Sequence, residues 1–210
     1  MYFTDIGINK TTGVNHLSDK VFRLTLSYIA PLLCDIINRA IYKSHFPSLW
    51  KIAVVTPLHK GGDREDMSNC HPISVLPILS KKVYEKLILN YLFLTYNTNN
   101  IICTTQSGFR SDHSSTSAIH HLISQWTNIK KSSDALAFLF LDLRKVFDLI
   151  VIDTLLTKLN AIGVQGEFFT TIKSYLSDRY LCVRAGSARS SLLPVTTGVP
   201  QGSILAPTLF

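Results

Sequence analysis

Residues 138–148 read FLFLDLRKVFD. They extend an unbroken apolar run from Ala135 to Leu141, and the run ends at Asp142. Apolar, β-favouring residues without polar alternation fit a strand buried on both faces. An ionised carboxylate at the end of such a strand must be paired, hydrogen-bonded or on a metal, because burying it alone is costly. A core strand also fixes a ligand oxygen more rigidly than a loop does. Carboxylate oxygens suit Mg²⁺, which takes one or two of them together with phosphate oxygens and water. The residues alone leave two readings of Asp142, a metal ligand or a cap on the following turn. Phe147 is by the same reasoning a core aromatic.

Around this strand, helices and strands mix without strict βαβ alternation, which predicts an α+β fold. The segment SDKVFRLTLSYIAPLLCDIINRAIYKS reads as a helix capped by Ser18 or Asp19, with Pro31 kinking or dividing it. Ile52 to Leu58 reads as a short strand, followed by the polar loop KGGDREDMSN. A second helix is expected from near Pro77 to about Tyr96, striped by Val83, Leu87 and Tyr91. A third follows Ser114 or Ser115 as cap. DTLLTKLNAIG predicts a short helix with Asp153 as N-cap and Gly163 as stop. EFFTTIKSYLSDR predicts another, striped by Phe168, Ile172, Tyr175 and Leu176. YLCVRAG and SLLPVTTG read as the strands of a hairpin.

The 210 residues suit one domain or a large part of one, and 46% of them are apolar, enough for a core. Lys and Arg number 21 against 14 Asp and Glu, a net charge of +7 that is compatible with a polyanionic partner. The longest apolar run is too short to span a bilayer, and MYFTDIGINK carries no signal-peptide pattern. Cys34, Cys70, Cys103 and Cys182 are scattered, which predicts reduced thiols, no disulfides and an intracellular setting, nuclear or cytoplasmic. The neighbours Cys70 and His71 lack two further ligands at zinc spacing.

Five segments, in order, carry a resemblance. They are FPSLWKIAVVTPLHKGGDREDMSNCHPISVLPILSKKVYEKLI, QSGFRSDHSSTSAI, LDLRKVFD, the spacer LLTKL…G…SYLSDR, and GVPQGSILAPTLF. Together they resemble the reverse transcriptases of non-LTR (LINE-like) retrotransposons, from about His45 to Phe210. The resemblance implies a right-hand polymerase fold, here fingers plus partial palm at 45–210, behind an N-terminal helical region at 1–44. It implies RNA-directed DNA synthesis with two Mg²⁺, an RNA template, a DNA primer and deoxynucleoside triphosphates, and no membrane. Asp142 matches the first metal-binding aspartate, and Leu143 the residue whose backbone oxygen joins it. Phe147 matches the aromatic gate that leaves no room for a 2′-hydroxyl. Gln201 and Gly202 match the pair lining the nucleotide pocket. Lys60 matches a basic fingers residue that pairs with triphosphate; as a bare residue it is equally a solvated loop charge. Arg110 lies in the Q-x-GFR motif, with either the template or the palm helix as its partner. Lys51, Arg64, Lys81, Lys82 and Lys86 are further candidates for a template path.

The sequence also departs from the family. His71 stands where an Arg is usual, and neutral imidazole lacks the permanent bidentate fork that grips phosphate. Cys70, Arg144, Val146 and Ala206 replace the usual Tyr, Ser, Ala and Gly, and Val151 and Ile152 replace an Asp-His pair. No Asp-Asp pair occurs in the chain, so the second carboxylate cluster of two-metal phosphoryl transfer is missing from these residues. The expectation is a reverse transcriptase fragment inactive alone. The alternative is a non-catalytic nucleic-acid-binding relic of a mobile element. A group II intron-type maturase fits HPISVLP and FLDLRKVFD less well.

Overall fold

The computed structural model describes residues 19–131, 137–143 and 145–210. Its sheet is built around β1 (Ile52–His59), whose β-branched run buries Ala53, Val54 and Val55. On one side β1 pairs antiparallel with β2 (Cys70–Val75), with Val54 opposite Val75 and Leu58 opposite His71. On the other it pairs parallel with β3 (Arg179–Ala185), Ala53 facing Leu181. A parallel pair requires a long crossover, and here the helices between β2 and β3 supply it. β3 then turns back through β4 (Ala188–Arg189) and β5 (Leu193–Val195), both antiparallel to it. The expected hairpin and first strand are present. β2 was not expected, because Pro72 and the flanking polar residues mask its pattern. Pro72 is tolerated because β2 is an edge strand.

One core gathers under the sheet. Helix α1 (Asp19–Tyr42) runs through Pro31 without dividing and buries Phe22, Leu33 and Ile37. Its expected caps fall on Ser18 and the side chain of Asp19, outside the described residues. Residues Lys20–Tyr42 are long and apolar enough to cross a membrane by length and composition. Phe22, Leu33 and Ile37 pack into the protein core, while Leu24, Tyr28 and Leu32 on the rest of the helix are exposed. Helix α2 (Glu85–Thr98) is preceded by a π-helical turn at Ser80–Tyr84. Val83 is buried as expected, but the deepest stripe is Tyr84, Ile88, Leu92 and Tyr96, while Leu87 and Tyr91 are only partly covered. The wide turn holds an extra residue and so rotates the buried face away from the simple repeat.

Aromatic rings lock this layer. Phe46 meets Tyr84 and Tyr175 edge-on, both at 5.0 Å between centroids, and Trp50 at 6.0 Å. Helix α4 (Ile152–Ala161) has Val151, not Asp153, at its N-cap; Asp153 sits in the first turn, where its charge suits the helix dipole. Gly163 follows the helix at φ 96°, the left-handed conformation expected of a stop. Helix α5 (Gly166–Leu176) buries Ile172, Tyr175 and Leu176 as its stripe predicts, and Phe168 stacks on Tyr91 at 3.9 Å.

The expected central strand is absent among the described residues. Residues 137–143 form no strand: Leu139, Phe140 and Leu141 are about 80% exposed, at 82%, 81% and 80%. Residues 132–136 and 144 lie outside the described residues. A strand needs a neighbour's N–H and C=O groups on its edges, and no described strand pairs with this segment. The apolar run states a need for burial without stating against what. Helix α3 (Ser115–Lys130) keeps its expected Ser114 cap, with a reciprocal capping box to Ser117, but buries none of its residues.

The stability of the core should therefore rest on α2 and not on α3. Leu92→Ala should cost about 2–5 kcal/mol in a denaturant titration, while Ile119→Ala should stay within about 0.5 kcal/mol. Equal effects would contradict this packing.

Candidate functional site

The turn that follows β5 docks between the end of β2 and the turn at residues 145–148. Gly198 N–H donates to the Ile150 carbonyl and Val199 N–H to the Phe147 carbonyl, both at 2.8 Å. A Cβ on Gly198 would lie 2.7 Å from the Phe147 oxygen, and its φ is 82°. Pro200 leads into Gln201, whose carbonyl accepts from Ser74 N–H at 2.7 Å and whose amide Nε2 donates to Asp148 Oδ1 at 2.8 Å. Gly202 has φ 120°, and a side chain there would collide with the Ser74 carbonyl. Only glycine combines this conformation with this approach.

These contacts assemble residues from three distant parts of the chain. His71 and Ile73 of β2, Phe147, Gln201 and Gly202 line one cavity of about 340 Å³, with Phe109 at its rim. Strand alternation explains the selection. His71 and Ile73 line only this cavity, Ser74 lines a second cavity of about 450 Å³ with Asp148 and Arg179, and Pro72 borders both. Phe147 also meets Phe210 at 5.6 Å between ring centroids. Ser203 opens the short path into α6 (Ala206–Leu209), which packs beneath the cavity.

Beneath the turn lies a buried polar cluster that sequence reasoning missed. Glu85 is wholly buried and accepts from Ser80 Oγ (2.9 Å), Ser203 Oγ (2.9 Å) and Ile204 N–H (3.0 Å). Tyr175 hydroxyl donates to Ser203 Oγ at 2.8 Å, and burial raises its pKa, with the nearby Glu85 charge adding to the effect. The Arg179 guanidinium sits 4.7 Å above the Tyr175 ring and donates to the Tyr175 carbonyl. The signal available in the sequence was an acid inside an otherwise apolar helical face, which marks a buried partner without naming it. Asp148 and Ser74 were also missed; nothing in their local sequence distinguishes them from turn and strand residues.

The remaining candidates are placed apart from the cavity. Lys60 is exposed just beyond β1, its N–H donating to the Asn69 carbonyl. Leu58 pairs with His71, so continued alternation puts Lys60 on the same face, roughly 7 Å further along the hairpin. Arg110 Nη1 donates to the carbonyls of Cys103, Thr104 and Gln106, which ties its guanidinium to its own loop. Asp142 and Leu143 are exposed on the unpaired segment, not at the end of a central strand. A divalent ion needs several oxygen ligands. Among the described residues no group of three or more His, Cys, Asp or Glu could hold one. Asp142 with the Leu143 carbonyl does not complete a metal site, and the Asp148 carboxylate already accepts from Gln201.

Comparison with known proteins bears on the whole of this arrangement. A sequence model described as "Reverse transcriptase (RNA-dependent DNA polymerase)" matches residues 58–210. The chain is 30% identical over 204 residues to the RNA-directed DNA polymerase from mobile element jockey of Drosophila melanogaster. That alignment covers 97% of this chain and 22% of the relative. It is 34% identical over 176 residues to the probable RNA-directed DNA polymerase from transposon X-element of the same species, covering 83% and 19%. The retrovirus-related Pol polyprotein from type-1 retrotransposable element R2 of Popillia japonica is 26% identical over 172 residues, covering 80% and 23%. The chain thus spans about a fifth of the length of these curated relatives. The match from residue 58 takes in β2 to β5, the docked turn and the cavity, and the chain belongs to the reverse transcriptase family, among those of non-LTR retrotransposons.

Proposed function

We propose that the cavity at the Pro200–Gly202 turn is the deoxynucleotide pocket of an RNA-directed DNA polymerase. In this reading residues 45–210 are fingers and part of the palm of a right-hand fold, and residues 1–44 an N-terminal helical region. The observation that carries it is the meeting of His71, Phe147, Gln201 and Gly202 around one cavity, with more than a hundred residues separating the first from the last. A reacting nucleotide must touch sugar gate, pocket wall and phosphate ligand together, so their holders must converge within a substrate's length.

The parts take roles by their chemistry. The Phe147 ring bounds the side on which a 2′-hydroxyl would project. Gln201, held by Asp148, presents a fixed wall, and the bare Gly202 backbone lets a base approach closely. Lys60, beyond the cavity along the same hairpin, supplies a cation for the outer phosphates, with His71 at the cavity a weaker partner than an arginine fork would be. Arg64, Lys81, Lys82 and Lys86 extend positive charge along the fingers for the template phosphates. Asp142 and the Leu143 carbonyl are the family's ligands for the first of two Mg²⁺. The catalytic step needs carboxylates beyond those among the described residues. A second reading is a non-catalytic nucleic-acid-binding relic, which the substitution of His71 and the exposure of Asp142 favour.

Three outcomes test the proposal. Binding of a deoxynucleoside triphosphate with Mg²⁺ should weaken about tenfold on Gln201→Ala, as loss of a hydrogen-bonding wall residue implies; unchanged affinity in equilibrium titration would contradict the pocket. RNA binding should be sequence-tolerant and fall steeply with salt, and replacing Lys60 and Arg64 by Ala should reduce the salt slope by about 1.4. Affinity equal at low and physiological salt would remove the template path. Residues 1–210 should show no RNA-templated DNA synthesis with Mg²⁺ or Mn²⁺. Extension abolished by Asp142→Ala would show that these residues complete the metal site after all.

A further inference from the structure

Glu85 has no surface exposure, yet it stands among the apolar residues that seal the core. A buried acid persists where donors converge on it. One of its three donors, Ser80 Oγ, comes from the entry to its own helix. The other two, Ser203 Oγ and Ile204 N–H, come from the residues directly after Gln201 and Gly202, and both reach the same oxygen, Oε2. Ser203 Oγ also accepts from Leu205 N–H (2.9 Å), Ala206 N–H (3.3 Å) and the Tyr175 hydroxyl (2.8 Å). Backbone N–H groups can only donate, so the serine's own proton is directed at Glu85. The carboxylate therefore fixes the far end of the turn, as the Ser74–Gln201 hydrogen bond fixes its near end.

We propose that Glu85 is a positioning residue for the pocket: through Ser203 and Ile204 it sets where Gln201 and Gly202 meet β2, and so the shape of the cavity. The functional half of this inference rests on the nucleotide-pocket reading above. Its structural half does not. Glutamine can replace the acid, since its amide oxygen can face Ser203 and Ile204 while its NH₂ donates to Ser80 Oγ. Leucine fills the space but leaves the Ile204 N–H and the Ser203 hydroxyl without an acceptor.

The test uses the 210-residue chain as wild type, Glu85→Leu, Glu85→Gln and Gln201→Ala. Amide hydrogen exchange and binding of a deoxynucleoside triphosphate with Mg²⁺ are read together. In Glu85→Leu, exchange at Ser74, Ile204 and Leu205 should quicken about tenfold, with Ile88 and Leu92 still protected, because a local opening is released without global unfolding. Nucleotide affinity should fall in parallel, and Glu85→Gln should restore both. Unchanged protection at Ser74 and Ile204 overturns the proposal. So does loss of protection throughout α2, which would make Glu85 a general core residue, and so does failure of Glu85→Gln to rescue. A loosened turn in Glu85→Leu, with nucleotide binding indifferent to Gln201→Ala, supports the structural tether and removes the pocket reading instead.

Discussion

The Ser74 carbonyl lies so close to residue 202 that no side chain fits between them. That contact brings the turn onto the edge of the sheet. Once Gly202 is seated, Ser74 N–H can reach the Gln201 carbonyl, Gln201 can reach Asp148, and Val199 N–H can reach the Phe147 carbonyl. Each of these bonds joins segments far apart in the chain. Without the first, β2 would remain an unpaired edge on its outer side, and Phe147 would have no fixed relation to His71.

The energetic design beneath the site differs from that of the rest of the core. Elsewhere the helices meet through apolar and aromatic contacts such as the Phe46 cluster and the Tyr91–Phe168 stack. Such contacts are strong but tolerate small displacements. Under the turn the contacts are directional: Glu85, Ser203, Tyr175 and Arg179 are all buried and linked through donors and acceptors. Lys51, expected on a template path, is instead buried nearby, where desolvation lowers its pKa against the opposing pull of Asp178. A hydrogen-bonded network misplaced by an ångström loses its bonds, so polar groups here trade some stability for position.

The sequence was most legible where local chemistry decides structure. Ser114 caps α3, Gly163 ends α4, β1 follows its β-branched run, and β3 and β5 form the expected hairpin around Gly186. The association of Gln201 with Phe147 was legible only through the family pattern, because no local rule links residues so far apart. Glu85 showed in the sequence only as an acid within an apolar helical face, and a lone acid in a helix ordinarily faces solvent. The π turn before α2 shifted the buried stripe from Leu87 and Tyr91 to Ile88 and Leu92, which a fixed helical period cannot foresee. The failure at Phe138–Leu143 has a different origin. Hydrophobicity there was read as burial in a central strand, yet the segment is exposed; strand formation is decided by a partner's hydrogen-bonding groups, and no described strand offers them.

Photo-crosslinking tests the central claim most directly: a deoxynucleoside triphosphate with a photoreactive base is bound with Mg²⁺ to the 210-residue chain, irradiated, and its attachment mapped by mass spectrometry. The expected labels fall on peptides containing His71 to Ile73, Phe147 and Gln201 to Pro207, the walls of the cavity at the docked turn. Competition by unmodified deoxynucleotide should remove them. Labels confined to Leu181, Val183 and Pro194 to Thr197, on the opposite face of the sheet, would contradict the assignment of that cavity.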